Sequence, residues 1–227
     1  MECSYPAGET EMKIVESILE NIRKNRKKPE EFENRYKNIK FENFEEWDKD
    51  FLRSLEWKRF EEVCMEYLQI KNCNANVTCT GADGGIDIKI IDPYDKVIAI
   101  GQCKSWNKPI GVSLIRELYG VMAADNVKHG IFLTTSSYSN DAVTFAKGKN
   151  LVLIDADEFI RLVNTMEDDK RIKIDKIARS GDYQTPTCVK CNIKMVKRKA
   201  SKGKNAGMEF WGCKNYPQCK ITMKVRA

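Results

Sequence analysis

The chain has 227 residues, 42% of them hydrophobic and 32% charged, with a mean hydropathy of −0.52; that is enough for one ordinary domain plus a small appendage. No stretch nears the ~18 uninterrupted apolar residues of a membrane span, and the Met1-Glu2-Cys3-Ser4 start lacks the pattern of a secretory signal, so a cytoplasmic protein is expected. The single histidine, His129, excludes chemistries that need two imidazoles, and the net charge of +6 is unevenly spread: −3 over residues 1–56, −4 over 57–169 and +13 over 170–227.

Residues 1–56 read as a helical N-terminal extension. Ile14, Ile18 and Ile22 recur at helical spacing, Pro29 breaks the run, and Phe41, Phe44, Trp47, Phe51 and Leu55 form an aromatic stripe that suits packing on the main domain. Residues 57–167 read as an α/β domain. Phe60, Val63, Cys64, Tyr67 and Leu68 mark an amphipathic helix, and Val77–Thr80 is a short β-prone run before the turn Gly81-Ala82-Asp83-Gly84-Gly85. Ile86–Ile91 and Val97–Lys104 read as a hairpin. A helix over Val112–Asp125, a strand over Ile131–Thr135, a helix over Ser139–Lys149 and a strand over Leu151–Asp155 complete a mixed sheet flanked by helices. Residues 168–186 read as a basic linker, and residues 187–227 as a small cysteine-bearing domain.

The basicity belongs to the tail, and a block that basic points to a polyanion, most often nucleic acid. Of the nine cysteines, five are scattered, some in apolar runs (Cys64, Cys103), as reduced buried thiols are. The last four form a C-x2-C pair, Cys188 and Cys191, and a C-x5-C pair, Cys213 and Cys219, separated by 21 residues. That pattern suits a closed structural Zn²⁺ site with four thiolates.

Within the hairpin, period-2 alternation puts Ile86, Ile88 and Ile90 on one face and Asp87 and Lys89 on the other, while Gln102 and Lys104 share a face opposite Cys103. An acid, an amide and an ammonium then meet at one end of the hairpin. That set suits phosphodiester hydrolysis: Asp87 holds a hard cation such as Mg²⁺, Gln102 or the Cys103 carbonyl adds an oxygen, and Lys104 orients water and offsets phosphate charge.

In order and spacing, Phe60-Glu61, Ala82-Asp83-Gly84-Gly85-Ile86-Asp87, Gln102-Cys103-Lys104, Ile115-Arg116-Glu117-Leu118-Tyr119-Gly120 and Phe132-Leu133-Thr134-Thr135-Ser136 resemble the Mrr-type restriction endonuclease catalytic domain. That family is a branch of the PD-(D/E)xK nucleases with Gln in place of the second acid. The resemblance implies a restriction-endonuclease-like fold, Mg²⁺ as catalytic ion, Asp87, Gln102 and Lys104 as catalytic core, and Glu61 as an auxiliary acid reaching the metal through water. Restriction of foreign or modified DNA is the implied role; a repair or recombination nuclease and a non-catalytic zinc-ribbon DNA-binding protein are the rivals. Cutting both strands would favour a homodimer. Arg116, Glu117 and His129 read as ordinary surface or core residues, and Thr134, Thr135 and Ser136 as strand-end structure.

The tail, Cys188-Val189-Lys190-Cys191 with Phe210-Trp211-Gly212-Cys213-Lys214-Asn215-Tyr216-Pro217-Gln218-Cys219, resembles the C-terminal zinc ribbon of bacterial type IA topoisomerases, which binds DNA, largely single-stranded. Lys194, Lys197, Arg198, Lys199, Lys202 and Lys204 then offer phosphate contacts, and Trp211 and Tyr216 rings for base stacking. Phe210 reads as ribbon core, and Trp211 is open between core and stacking.

Overall fold

The structure, a computed structural model, describes residues 45–71, 75–77, 85–91 and 94–225, with backbone alone for 75–77. The expected helical spacing of Ile14, Ile18 and Ile22, the rings of Phe41 and Phe44, the segment Ala82-Asp83-Gly84, and Cys3, Cys73 and Cys79 lie outside the described residues.

Helix α1 (Lys49–Ser54) starts where the Asp48 carboxylate accepts the Phe51 N–H at 2.7 Å. Helix α2 (Trp57–Ile70) is capped by Glu56 and buries Phe60, Val63, Cys64, Tyr67 and Leu68, the positions its periodicity predicts. The strands β1 (Ala75–Val77), β2 (Ile88–Ile91), β3 (Val97–Lys104), β4 (His129–Thr134) and β5 (Leu151–Ile154) form one sheet in sequence order. The first two pairings are antiparallel and the last two parallel, so β3 is the strand where the sheet changes sense.

Helix α3 (Val112–Ala124) makes the right of way from β3 to β4, and α4 (Asn140–Ala146) that from β4 to β5; both lie on one face. There Ile100 and Phe132 of the sheet pack with Ile115, Leu118, Met122, Ala142 and Ala146. The opposite face carries α1, α2, α5 (Ala156–Asn164) and α6 (Asp168–Arg179), packed on Ile88, Ile90, Ala99, Cys103, Ile131, Leu133, Val152 and Ile154. Phe159 of α5 is the hub of that layer, with ring centroids 5.9 Å from Phe60, 5.5 Å from Tyr67 and 6.4 Å from Trp47. Each such buried side chain contributes about 1.5–3 kcal/mol, which makes this layer the chief apolar store of the domain. The aromatic stripe, where described, packs as expected: Trp47 and Leu55 are buried, and the Trp47 indole donates to Asp175 at 2.6 Å.

Two features differ from the sequence reading. Ile86 precedes β2 and packs on the α3–α4 face, whereas Ile88 and Ile90 pack on the other, so alternation breaks at Asp87. The stretch read as a linker contains α6, which packs against α2 and sinks Ile174 and Ala178 into the core; Asp168 and Asp169 in its first turn and Lys176 and Arg179 in its last suit the helix dipole. The tail folds as an antiparallel three-stranded sheet, β6 (Val196–Lys199), β7 (Glu209–Gly212) and β8 (Thr222–Lys224).

Candidate active site and zinc-ligand cluster

The site forms at the C-terminal end of β3. The Asp87 N–H donates to the Gly101 carbonyl at 3.0 Å, which keeps the backbone in register just before β2 begins. The Asp87 carboxylate turns back and accepts the Cys103 N–H at 2.7 Å, so the strand that carries Gln102 and Lys104 fixes the acid directly. Beyond Lys104 the strand end is braced from β4: the Thr134 hydroxyl donates to the Lys104 carbonyl at 2.8 Å, and the Thr135 hydroxyl to the Trp106 carbonyl at 3.0 Å.

Glu61 enters from α2, one turn before the Cys64 thiol that meets Cys103 beneath the strand. Glu61 and Asp87 are both buried. Burial first, and then the charge of Asp87, push the Glu61 carboxyl up to about 8, with Lys104 pulling the other way. Burial raises Asp87 too, against the Cys103 N–H and Lys104. Two enclosed carboxylates that repel one another, with the Lys104 and Lys58 ammonium groups acting against them, form a donor set that fits a hard divalent cation. Gln102 is buried on the same strand, and its amide lies against Gly85. Gly85 has φ +82°, and a Cβ there would stand 2.9 Å from Gln102 Nε2, so only glycine leaves the amide its place. The structure thus brings Glu61, Asp87 and Lys104 within electrostatic reach and sets Gln102 between Cys103 and Gly101. His129 starts β4 opposite Ala99, at the far end of β3 from Lys104. The Arg116 guanidinium lies over the Phe145 ring at 5.4 Å.

In the tail, the sulfurs of Cys188, Cys191, Cys213 and Cys219 all lie within 4.8 Å of one another, and those of Cys188 and Cys219 are 3.8 Å apart. A tetrahedron with Zn–S bonds of about 2.3 Å has edges near that length, so the four thiols fit Zn²⁺. Burial pushes the Cys188 thiol up, but the backbone N–H groups of Cys191 and Lys190 and the neighbouring thiols bring it down to about 7. N–H groups aimed at a ligand sulfur are the partners that orient a metal thiolate.

The basic residues of the tail divide. Lys202 and Lys204 are exposed in the loop between β6 and β7, and Lys197 and Lys199 are exposed on β6. Arg198 stacks on Tyr216 at 5.3 Å, and Tyr216 is 59% exposed. Lys194 does not join them: it pairs with Glu56 at 3.0 Å and donates to the Thr185 carbonyl. Of the two rings on β7, Phe210, expected in the core, does not pack on the cysteine cluster, whereas Trp211, left open, does. Trp211 packs on the cysteine cluster with Met223 and Ile221, while Phe210 shares the other face of β7 with Gly212 and Arg198. Adjacent strand positions face opposite ways, so one ring had to be core; which one depends on where the sulfurs lie.

Residues 52–163 match a family model described as a restriction endonuclease, the Mrr catalytic domain, and residues 185–227 match one described as the topoisomerase DNA binding C4 zinc finger. A curated relative, the type IV methyl-directed restriction enzyme EcoKMrr of Escherichia coli (strain K12), is 32% identical over 83 residues, which are 36% of this chain and 27% of the relative. Among solved structures, the DNA modification-dependent restriction endonuclease AspBHI aligns with 17% identity and a TM-score of 0.42 over 59% of this chain and 39% of its own. The MspJI restriction endonuclease, solved with a 27-mer oligonucleotide, aligns with 12% identity and a TM-score of 0.34 over 82% of this chain and 40% of its own. The chain thus joins a segment matching the Mrr-type restriction endonuclease domains, residues 52–163, to one matching the topoisomerase-type C4 zinc ribbons, residues 185–227.

Proposed function

We propose that this protein is a Mg²⁺-dependent DNA endonuclease that restricts foreign or modified DNA, with a zinc-loaded ribbon that grips the substrate. The observation that carries the reading is the meeting of Glu61, Asp87 and Lys104 at the end of β3, with the Asp87 carboxylate held on the Cys103 N–H. Asp87 and the Cys103 carbonyl would hold the divalent cation, and Glu61 would reach it through water. When bound, such an ion supplies charge for the scissile phosphate and a more acidic water. The chain's own groups do the rest. Lys104 orients the attacking water and offsets the charge that grows on the phosphate. Gln102, held against Gly85, offers an amide oxygen without adding a second negative charge.

Four thiolates of Cys188, Cys191, Cys213 and Cys219 would bind one Zn²⁺ that folds the ribbon. Lys197, Arg198, Lys199, Lys202 and Lys204 supply phosphate contacts, and Tyr216 and Phe210 present rings beside Arg198. That the Escherichia coli relative is a methyl-directed restriction enzyme supports modified DNA as substrate class. The test is cleavage of methylated and unmethylated plasmid by purified protein with Mg²⁺ or EDTA. Cutting of the methylated plasmid that EDTA abolishes is expected. Failure to cut either plasmid at any Mg²⁺ concentration would refute the assignment.

A further inference from the structure

Glu56 has no place in the catalytic assignment, yet its side chain is only 4% exposed. One carboxylate oxygen accepts the N–H of Thr187 at 3.0 Å and of Lys58 at 3.3 Å; the other accepts the Thr187 hydroxyl at 2.7 Å and the Lys194 ammonium at 3.0 Å. Around it the Trp57 indole donates to the Thr187 carbonyl at 2.8 Å, Lys58 reaches Asn192, and the Glu56 N–H donates to the Tyr183 carbonyl at 2.8 Å. Thr187 directly precedes Cys188, and Asn192 directly follows Cys191. Glu56 is also the cap of α2, the helix that carries Glu61.

One carboxylate therefore serves two elements. It completes the N-terminus of the catalytic helix, and it seats the first knuckle of the ribbon. Donors meet both oxygens of this enclosed carboxylate, so the ribbon cannot leave its seat without stranding it. A tether would leave the ribbon free to swing; these contacts hold it against α2.

We infer that Glu56 is a positioning residue that locks the zinc ribbon to the start of α2, so that DNA gripped by the ribbon reaches the Asp87–Lys104 site at one set offset. The functional half of this inference rests on the nuclease reading above; the seat itself does not.

The test uses the zinc-loaded full chain and has two arms. In the first, hydrogen exchange at the Thr187 amide is compared between wild type, Glu56→Gln and Glu56→Ala. Exchange at least tenfold faster in Glu56→Ala is expected, with Glu56→Gln between, because an amide oxygen accepts from Thr187 but lacks the charge that Lys194 needs. Equal exchange in all three would overturn the seat. In the second, cut positions are mapped on a duplex with one single-stranded gap to anchor the ribbon. Wild type should cut in a narrow window from the gap, and Glu56→Ala should widen that window at least threefold. Trp57→Phe, which removes only the indole donor, should widen it less and guards against a folding defect in the alanine variant. The same narrow window in every variant would overturn the set offset. A wild type that cuts nothing counts against the nuclease reading, and the exchange arm still decides the seat.

Discussion

The acid pocket and the cysteine cluster of this chain solve opposite problems. The acid pocket sits on a scaffold with two apolar layers, and its charged groups are crowded at the end of an already complete sheet. The ribbon has little apolar core among its described residues: Cys188, Cys213 and Cys219 with Met195 are its buried cluster, and Trp211, Ile221 and Met223 pack round them. Without an ion the first region would still be a folded domain, with two carboxylates at odds. Without one the second would have four thiols where a core should be. On the proposed reading one region reacts and the other is built by its metal.

The sharpest way to break that contrast is at Asp87. Asp87→Ala or Lys104→Ala should lower the cleavage rate by about a hundredfold or more while DNA affinity stays near wild type, because losing one preorganised charge in a catalytic site costs about that much. Cleavage by a clean Asp87→Ala preparation would remove the site from β3. Next in size is the ribbon. The purified chain should hold about one zinc, and strong chelation should unfold the ribbon while the α/β domain keeps its own transition; calorimetry with and without chelator shows this. A chain ending at Thr185, with a net charge of −4, keeps α6 and should lose about tenfold or more in DNA affinity at physiological salt, along with most of the salt slope.

A smaller effect separates the two rings of β7. Phe210→Ala should weaken single-strand binding by about 1–3 kcal/mol if its ring stacks on a base, with zinc retained. Trp211→Ala should instead loosen the cysteine cluster, seen as faster zinc loss to a chelator. The smallest effect is a stability effect with a definite sign. Glu61 folds with its pKa raised from 4.5 to about 8, so the native state disfavours its charge. The cost is absent below about pH 4.5, grows as pH rises, and is complete above about pH 8. Without divalent cations, Glu61→Gln should therefore melt a few degrees above wild type at pH 9 and close to it at pH 5. Equal gains at both pH values would mean that the acid is not strained.

What the sequence disclosed depended on how local each signal was. β3 could be read to its residue limits because its apolar run follows the turn-forming sequence Asp92-Pro93-Tyr94-Asp95, and α2 because five apolar positions mark one face. α6 was hidden by composition: its charges suit solvent, and Ile174 and Ala178, with Ile177 packed beside them, join the core as a stripe too thin to see without α2 beside it. Lys194 was read with the other tail lysines because charge alone cannot reveal a partner 138 residues earlier. The break at Asp87 was hidden for a related reason. Three isoleucines at period two imply one face until the Asp87 carboxylate takes the Cys103 N–H and Ile86 falls to the other layer.

The seat at Glu56 also sets an order of events during synthesis. Thr187 leaves the ribosome 131 residues after Glu56, so the α/β domain is made while its future seam is still open. Until the ribbon arrives, Trp57 has no Thr187 carbonyl to hold and Glu56 has no Lys194 at the start of α2. On the zinc reading proposed above, a chain without its ion would leave that seam open to proteases, and a loaded chain would close it.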